Sequence, residues 1–197
     1  MLNDSKHSSV IAFAGRRTDE ENAEKPRFPF EKVPTVREAL TTLFLREQAV
    51  GLVASGACGS DLTALAAAQA IGIRSRIVLP FWSDHFRQTS VVDRPHAEYW
   101  GALFDRVTDY ARSRDDLVVL DLQESAQSTY SHINRAILRE TDRLASQDAK
   151  LRRLAVIAWD GAPRGKEDYT KEFADLAIAA GFMLEEVSTL DPSHLSG

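Results

Sequence analysis

A single cysteine, Cys58, in a chain of 197 residues rules out an internal disulfide, and the five histidines form no pair at the spacing of zinc ligands. No metal site is expected. Excess positive charge is missing as well: 24 lysines and arginines face 29 aspartates and glutamates, and a net charge of -5 gives no general pull toward nucleic acid or anionic lipid. Anion binding, if any, must be local, and no nucleic-acid partner is expected. Long apolar runs are lacking too, since even residues 151–159 are interrupted by arginines and fall well short of the ~20 residues that a bilayer-spanning helix needs. No membrane partner follows, and with no charged and then apolar leader ahead of Ser9 the expected location is cytoplasmic. The Gly-x-Ser-x-Gly elbow, the Gly-x-x-x-x-Gly-Lys-Ser/Thr loop and the full dinucleotide fingerprint are all absent. Serine hydrolase and P-loop readings lose their main support, and no cofactor is expected.

What the chain does have is enough apolar residue, 44%, to bury one full core. Residues 8–188 are expected to form one domain, with 1–7 a flexible N-terminal tail and 189–197 a C-terminal tail. Short apolar runs at 10–14, 50–54, 77–81, 117–120 and 154–159 read as buried strands, and 182–187 as an added edge strand. Between them lie helical patterns: one after Pro34 capped by Thr35, then 60–71, 96–112, about 128–146 and 168–180. Residues 20–34 read as a long loop in which Phe28-Pro29-Phe30 folds back as an apolar flap, and 82–95 as a polar loop. Strands alternating with helices over the whole length predict an α/β, three-layer Rossmann-like fold with a mainly parallel central sheet.

In such sheets ligands gather beyond the carboxyl ends of the strands. The loop after the second strand, Ser55-Gly56-Ala57-Cys58-Gly59-Ser60-Asp61, is the most informative of them. Gly56 and Gly59 permit a tight turn and close approach to a ligand, and Ser60 or Asp61 can cap a helix whose free amides favour a phosphate. The competing reading is an ordinary strand-to-helix turn whose glycines serve packing. Gly15 and Arg16 end the first strand, with Arg16 offering a forked phosphate donor or else pairing with Asp19 and Glu20, and Arg17 read as surface. Ser90 can donate to a phosphate or sugar, while Phe86 reads as packing. Asp160, with Gly161 behind it, is placed to accept from a ribose hydroxyl or to cap the next turn. Arg164 and Lys166 can reach phosphate from their loop, and Tyr169 and Thr170 offer a second phosphate platform at a helix start. Cys58 reads as a small buried residue rather than a nucleophile.

The strand followed by Gly15-Arg16-Arg17, then Arg27-Phe28-Pro29, residues 55–61, Val78-Leu79-Pro80-Phe81, residues 86–91 and residues 156–161, taken together and in this order, resemble the SLOG superfamily. That Rossmann-like group includes the LOG phosphoribohydrolases, the DprA proteins and bacterial sensor domains, and the match is to the sensor-like branch. The resemblance implies binding of a nucleotide-derived small molecule, with Gly56, Gly59, Ser60 and Thr170 near phosphate and ribose, and with an effector protein and a homo-oligomer as partners. It does not imply catalysis. LOG-type enzymes carry Pro-Gly-Gly-x-Gly-Thr-x-x-Glu before the last helix, whereas residues 164–173 read RGKEDYTKEF, with Phe173 where the glutamate belongs. The alternative function is LOG-type cleavage of the N-glycosidic bond in a nucleoside monophosphate, with Glu167 or Glu172 activating water. A third is a degenerate fold kept for protein association through exposed pairs Phe28/Phe30 and Phe81/Trp82.

Overall fold

The computed structural model describes residues 7–122, 126–165 and 167–191. Most of the two tails and Lys166 lie outside the described residues. Six parallel strands form one sheet in the order β4-β3-β2-β1-β5-β6: β1 (Ser9–Gly15), β2 (Ala49–Ala54), β3 (Arg74–Leu79), β4 (Leu117–Val119), β5 (Arg152–Trp159) and β6 (Met183–Ser188). Helices α1 (Val33–Arg46), α2 (Ser60–Ala70), α3 (Ser83–Ser90) and α4 (Ala97–Arg112) contribute to one core cluster, and α5 (Ala126–Ala145) and α6 (Tyr169–Ala179) to the other. This is the α/β, Rossmann-like arrangement expected from the alternating pattern.

Strand alternation divides the side chains between the two cores. Ile11 and Phe13 of β1 face α1 and α2, while Val10 and Ala12 face α5 and α6; in β5, Leu154 and Val156 take the first side and Ala155 and Ile157 the second. Burial on both faces explains why these strands read as unbroken apolar runs. Strand order reverses between β1 and β5, which pair in register from Ser9 with Arg152 to Gly15 with Ala158, so the loops leaving these two strands part at their carboxyl ends and open a crevice.

Three local expectations change. Helix α1 begins at Val33, because Pro34 fits a first helical turn that needs no amide from it, and Thr35 lies inside the helix rather than capping it. Residues 83–90 form helix α3, hidden in the sequence because Phe86 is its one large apolar side chain. The flap is not exposed: Phe28 is fully buried, and Phe30 is half-buried and stacked on His96 at 3.6 Å. Of the four aromatics read as a sticky surface, Trp82 alone is exposed, at 70%.

Candidate functional site

The loop after β1 is pinned by one buried guanidinium. Arg16, 3% exposed, donates from Nε to Asp160 Oδ1 at 3.0 Å, from Nη1 to both oxygens of Asp168 and from Nη2 to the carbonyl of Ala162 at 2.7 Å. Arg27 holds the other oxygen of Asp160 at 2.8 Å and is itself positioned by Asp19, whose carboxylate accepts from the amides of Arg27 and Phe28. Asp160 is therefore spent on two arginines and does not line the neighbouring cavity, and Arg16 is a structural cation before it is anything else.

The glycine turn after β2 is closed by the protein's own groups. Cys58 N donates to Ser90 O, Ser60 N to Arg16 O, Leu62 N to Ala57 O and Thr63 N to Gly59 O, so most amides at the start of α2 already have carbonyl partners. Gly59, at φ +98, is the N-cap, and a Cβ there would lie 2.6 Å from Thr18 N and 2.7 Å from Arg16 O. A Cβ on Gly15 would lie 2.6 Å from Ser60 Cβ, and one on Gly56 would meet the Phe104 ring at 3.2 Å. These glycines let β1, the turn and α2 touch. Packing accounts for these three glycines.

Helix α6 starts in the same self-contained way. Its N-cap Asp168 accepts from the amides of Thr170 and Lys171, each at 3.0 Å, as well as from Arg164 N and from Arg16. Burial would raise this carboxyl's pKa, but the Lys171 and Arg164 amides and the Arg16 guanidinium outweigh it and hold it below the ordinary carboxylate range. The amide platform expected at Tyr169 and Thr170 is thus filled by an internal carboxylate.

Between these two helix starts lies a cavity of about 340 Å³. Its base is Ala14 to Arg17 at the end of β1, with Ser55 and Ala57 after β2 and Asp61 in the first turn of α2. Phe86 and Ser90 of α3 close one side. The opposite side is α5, through Tyr130, Ile133, Asn134 and Ile137, and Arg94, Arg164 and residues 167–170 supply the rest. Tyr130 and Tyr169 pair at 4.8 Å between ring centroids, and Asn134 Nδ2 donates to the Tyr169 carbonyl at 2.9 Å, which ties α6 to α5. Tyr169 forms wall rather than plug.

Charge within the cavity is divided. Arg17 reaches Cys58 Sγ at 3.3 Å and pairs with Asp93; Arg94 pairs with Glu20 at 2.7 Å. Arg164 is exposed at the rim, and its guanidinium makes no hydrogen bond or ion pair among the described residues. Although the residue as a whole is exposed, partial loss of solvent around the guanidinium, then repulsion from Arg16 and Arg27, lowers its pKa, and an added anion would offset that repulsion. Asp61, by contrast, is 8% exposed and its Oδ1 has no hydrogen-bond partner. Burial, only partly offset by the nearby Ala57 amide, Arg17 and the Gly15 amide, pushes its pKa up to about 7.

Of the residues read from the sequence, the structure brings Gly15, Arg16, Ser55, Asp61, Ser90, Arg164, Glu167, Tyr169 and Thr170 to one cavity. It leaves Gly56, Gly59, Ser60, Asp160 and Gly161 off the wall, for the packing and pairing reasons above; nothing lies within 4 Å of a Cβ built on Gly161. Glu172 faces a separate groove between α5 and α6, where it accepts from Ser131 Oγ at 2.9 Å. Arg17, read as surface, is a half-buried wall residue. Arg94, Tyr130, Asn134 and Asp168 were missed. Asn134 did carry a signal, a polar residue between Ile133 and Ile137 on a buried stripe, and Asp168 carried the signature of a cap two residues ahead of a threonine. Among the described residues no cluster of three or more His, Cys, Asp or Glu is arranged to hold a metal ion, and no helix is long and apolar enough to cross a membrane.

No family model matches the chain, and no curated protein matches it closely enough to count as a relative. Among solved structures it is similar to the X-ray structure of DNA processing protein A (DprA) from Streptococcus pneumoniae, with 17% sequence identity and a TM-score of 0.40. The match covers 90% of this chain and 58% of that one, so the chain spans little more than half the length of that structure.

Proposed function

We propose that this protein binds a nucleotide or nucleotide-derived small molecule in the cavity beside the ends of β1 and β2, as a SLOG-like sensor domain, and passes its occupancy to an effector protein. The observation that carries the reading is a cavity of about 340 Å³ in which aromatic walls, Phe86, Tyr130 and Tyr169, adjoin a rim cation, Arg164, that has no ion pair among the described residues. That volume lies toward the lower end of the roughly 300–1,000 Å³ typical of small-molecule sites. A planar base with one charged group suits such walls better than a dinucleotide does. The anion goes to guanidinium groups, Arg164 first and Arg94 beside it, because the helix-start amides are occupied.

Hydrolysis by Glu172 has little support, since that carboxylate lines the groove between α5 and α6 rather than the cavity. The direct test is native mass spectrometry of freshly purified protein followed by calorimetric titration with nucleoside monophosphates, ADP-ribose derivatives and cyclic dinucleotides. A co-purifying nucleotide mass, or micromolar binding of a mononucleotide, is the expected result. No binding by any of them at millimolar concentration would remove the reading.

A further inference from the structure

Among the described residues, Asp61 is the one cavity residue with a fully buried polar side-chain atom that lacks a hydrogen-bond partner. Its carboxyl is 8% exposed, yet Oδ1 has no hydrogen-bond partner, where a buried carboxylate ordinarily collects two or three. The backbone amides of Ala57 and Gly15 help the carboxyl only in part, and the cation that acts on it is Arg17, whose guanidinium is already committed to Asp93 and Cys58. Around it the hydroxyls of Ser55 and Ser90 also make no side-chain hydrogen bond among the described residues, and all three residues line the same cavity. Leaving a buried acceptor unmet is costly, and a fold keeps such a group where something outside the chain completes it. Asp61 is 8% exposed, whereas Arg164 is exposed at the rim.

We propose that Asp61 is the specificity-determining residue of the cavity, its carboxyl accepting a hydrogen bond from an N–H or O–H donor on the inner end of the ligand while Arg164 holds the anionic end at the rim. The inference rests on the nucleotide reading above and adds to it an orientation: anionic group outward, donor group inward. Two parts of a mononucleotide supply such a donor, the exocyclic amine of the base and the ribose hydroxyls. Burial that raises the carboxyl's pKa fits the same role, because a donor arriving from a ligand is what favours the ionised form.

The test is calorimetric titration of wild-type protein, Asp61→Asn and Asp61→Ala with the four ribonucleoside 5'-monophosphates, their 2'-deoxy counterparts and inosine 5'-monophosphate. A hydrogen bond to a charged acceptor predicts that the wild type prefers the donor-bearing member of one pair by about 10-fold or more. The same preference is expected to fall to within about threefold in D61N. Loss on removing the amine assigns the base, and loss on removing the 2'-hydroxyl assigns the ribose. Thermal melting checks that D61N is folded; if it is not, Asp61→Ser, which keeps a small polar group, takes its place. Wild-type protein that binds every pair equally overturns the proposal without any variant, and so does a preference that survives in Asp61→Ala, which removes the acceptor that D61N keeps in neutral form; both leave the nucleotide reading standing. Failure of all nucleotides to bind wild-type protein overturns that reading as well, and is a distinct result.

Discussion

Asp61 and Asp168 occupy matching places: each sits at the start of a helix, each lines the same cavity and each is 8% exposed. Asp168 is saturated, taking amides from Arg164, Thr170 and Lys171 and the guanidinium of Arg16, and its pKa is depressed. Asp61 has only weak local help, and its pKa rises to about 7. Position and burial are therefore poor guides to role, and the partners that meet each carboxyl are better ones. One ties the 168–171 turn to Arg16, and on the proposed reading the other is left to meet a ligand.

The sharpest way to break the comparison is to remove the cation that completes Asp168. Arg16→Met leaves Asp160 and Asp168 buried without their shared partner, and breaking a buried ion pair from one side costs about 3–5 kcal/mol. Urea unfolding at pH 7 is expected to show a loss of that size. A loss below about 1 kcal/mol would mean that the network does not hold the 160–168 segment in place. The pH profile adds the sign. A depressed carboxyl pKa means that Asp168 contributes stability above its unfolded pKa and loses it as pH falls through the folded one, so wild-type protein weakens in acid more steeply than Asp168→Asn.

For Asp61 the sign reverses. A carboxyl with a folded pKa of about 7 against an ordinary 3.8 binds its proton more tightly when folded, so its cost to stability grows as pH rises from about 4 to about 7 and is constant above. Asp61→Asn removes that cost. The variant is expected to be more stable than wild type at pH 8 by up to about 4 kcal/mol, and to lose this advantage toward pH 4, in parallel chemical unfolding curves. An advantage equal at both pH values, or a deficit at pH 8, would show that Asp61 is satisfied after all.

How much of this contrast could be read in advance differs between fold and site. Strands β1, β2, β3 and β5 were legible because burial on both faces writes them as continuous apolar runs, half-buried β4 because its short edge run is apolar too, and α5 and α6 because their stripes repeat at helical spacing. Helix α3 was not, since a short helix that buries Phe86 and Ser90 leaves almost no periodic trace. The same holds for the glycine turn. Its sequence is compatible with a phosphate nest and with a tight crossing of chain segments, and only the approach of Arg16 O and Thr18 N to Gly59 separates the two. The pairing of Arg16 with Asp168 spans 152 residues, a distance over which spacing carries no information. Gly15, Ser55, Asp61 and Ser90 could be assembled because each directly follows a strand or closes the loop after one; Asn134 and Tyr130 arrive from the far helix and could not.

The comparison sharpens at the cavity rim, where function rather than stability should respond. Arg164 is exposed and unpaired among the described residues, so Arg164→Ala is expected to leave the unfolding free energy within about 0.5 kcal/mol of wild type. Its effect falls on the ligand: loss of a charge-assisted hydrogen bond to an anion weakens mononucleotide binding by about 10-fold, read by calorimetry at constant salt. Arg164→Lys keeps the charge but not the fork, and is expected to recover part of the loss. If both variants bind as wild type does, the anionic end lies elsewhere, with Arg94 and Arg17 the next candidates.

The smallest effect is expected from a third carboxylate, Glu172, which stands one helical turn into α6 yet serves the outer groove. Thr170, in the same first turn, is buried against the cavity and Phe173 fills the core, so the helical period carries Glu172 away from both, to Ser131 Oγ at 2.9 Å. Its bond to Ser131 is partly exposed, and Glu172→Gln can still accept from that hydroxyl, so stability should change by less than about 0.5 kcal/mol. Mononucleotide affinity should stay within about twofold, because nothing bound between Asp61 and Arg164 touches that face of the helix. Chromatography of purine monophosphates after long incubation provides the complementary reading. Release of free base by wild-type protein, abolished in E172Q, would mean that the groove and the cavity act as one site, and the division of labour between saturated and unsaturated carboxylates would have to be redrawn around Glu172 rather than Asp61.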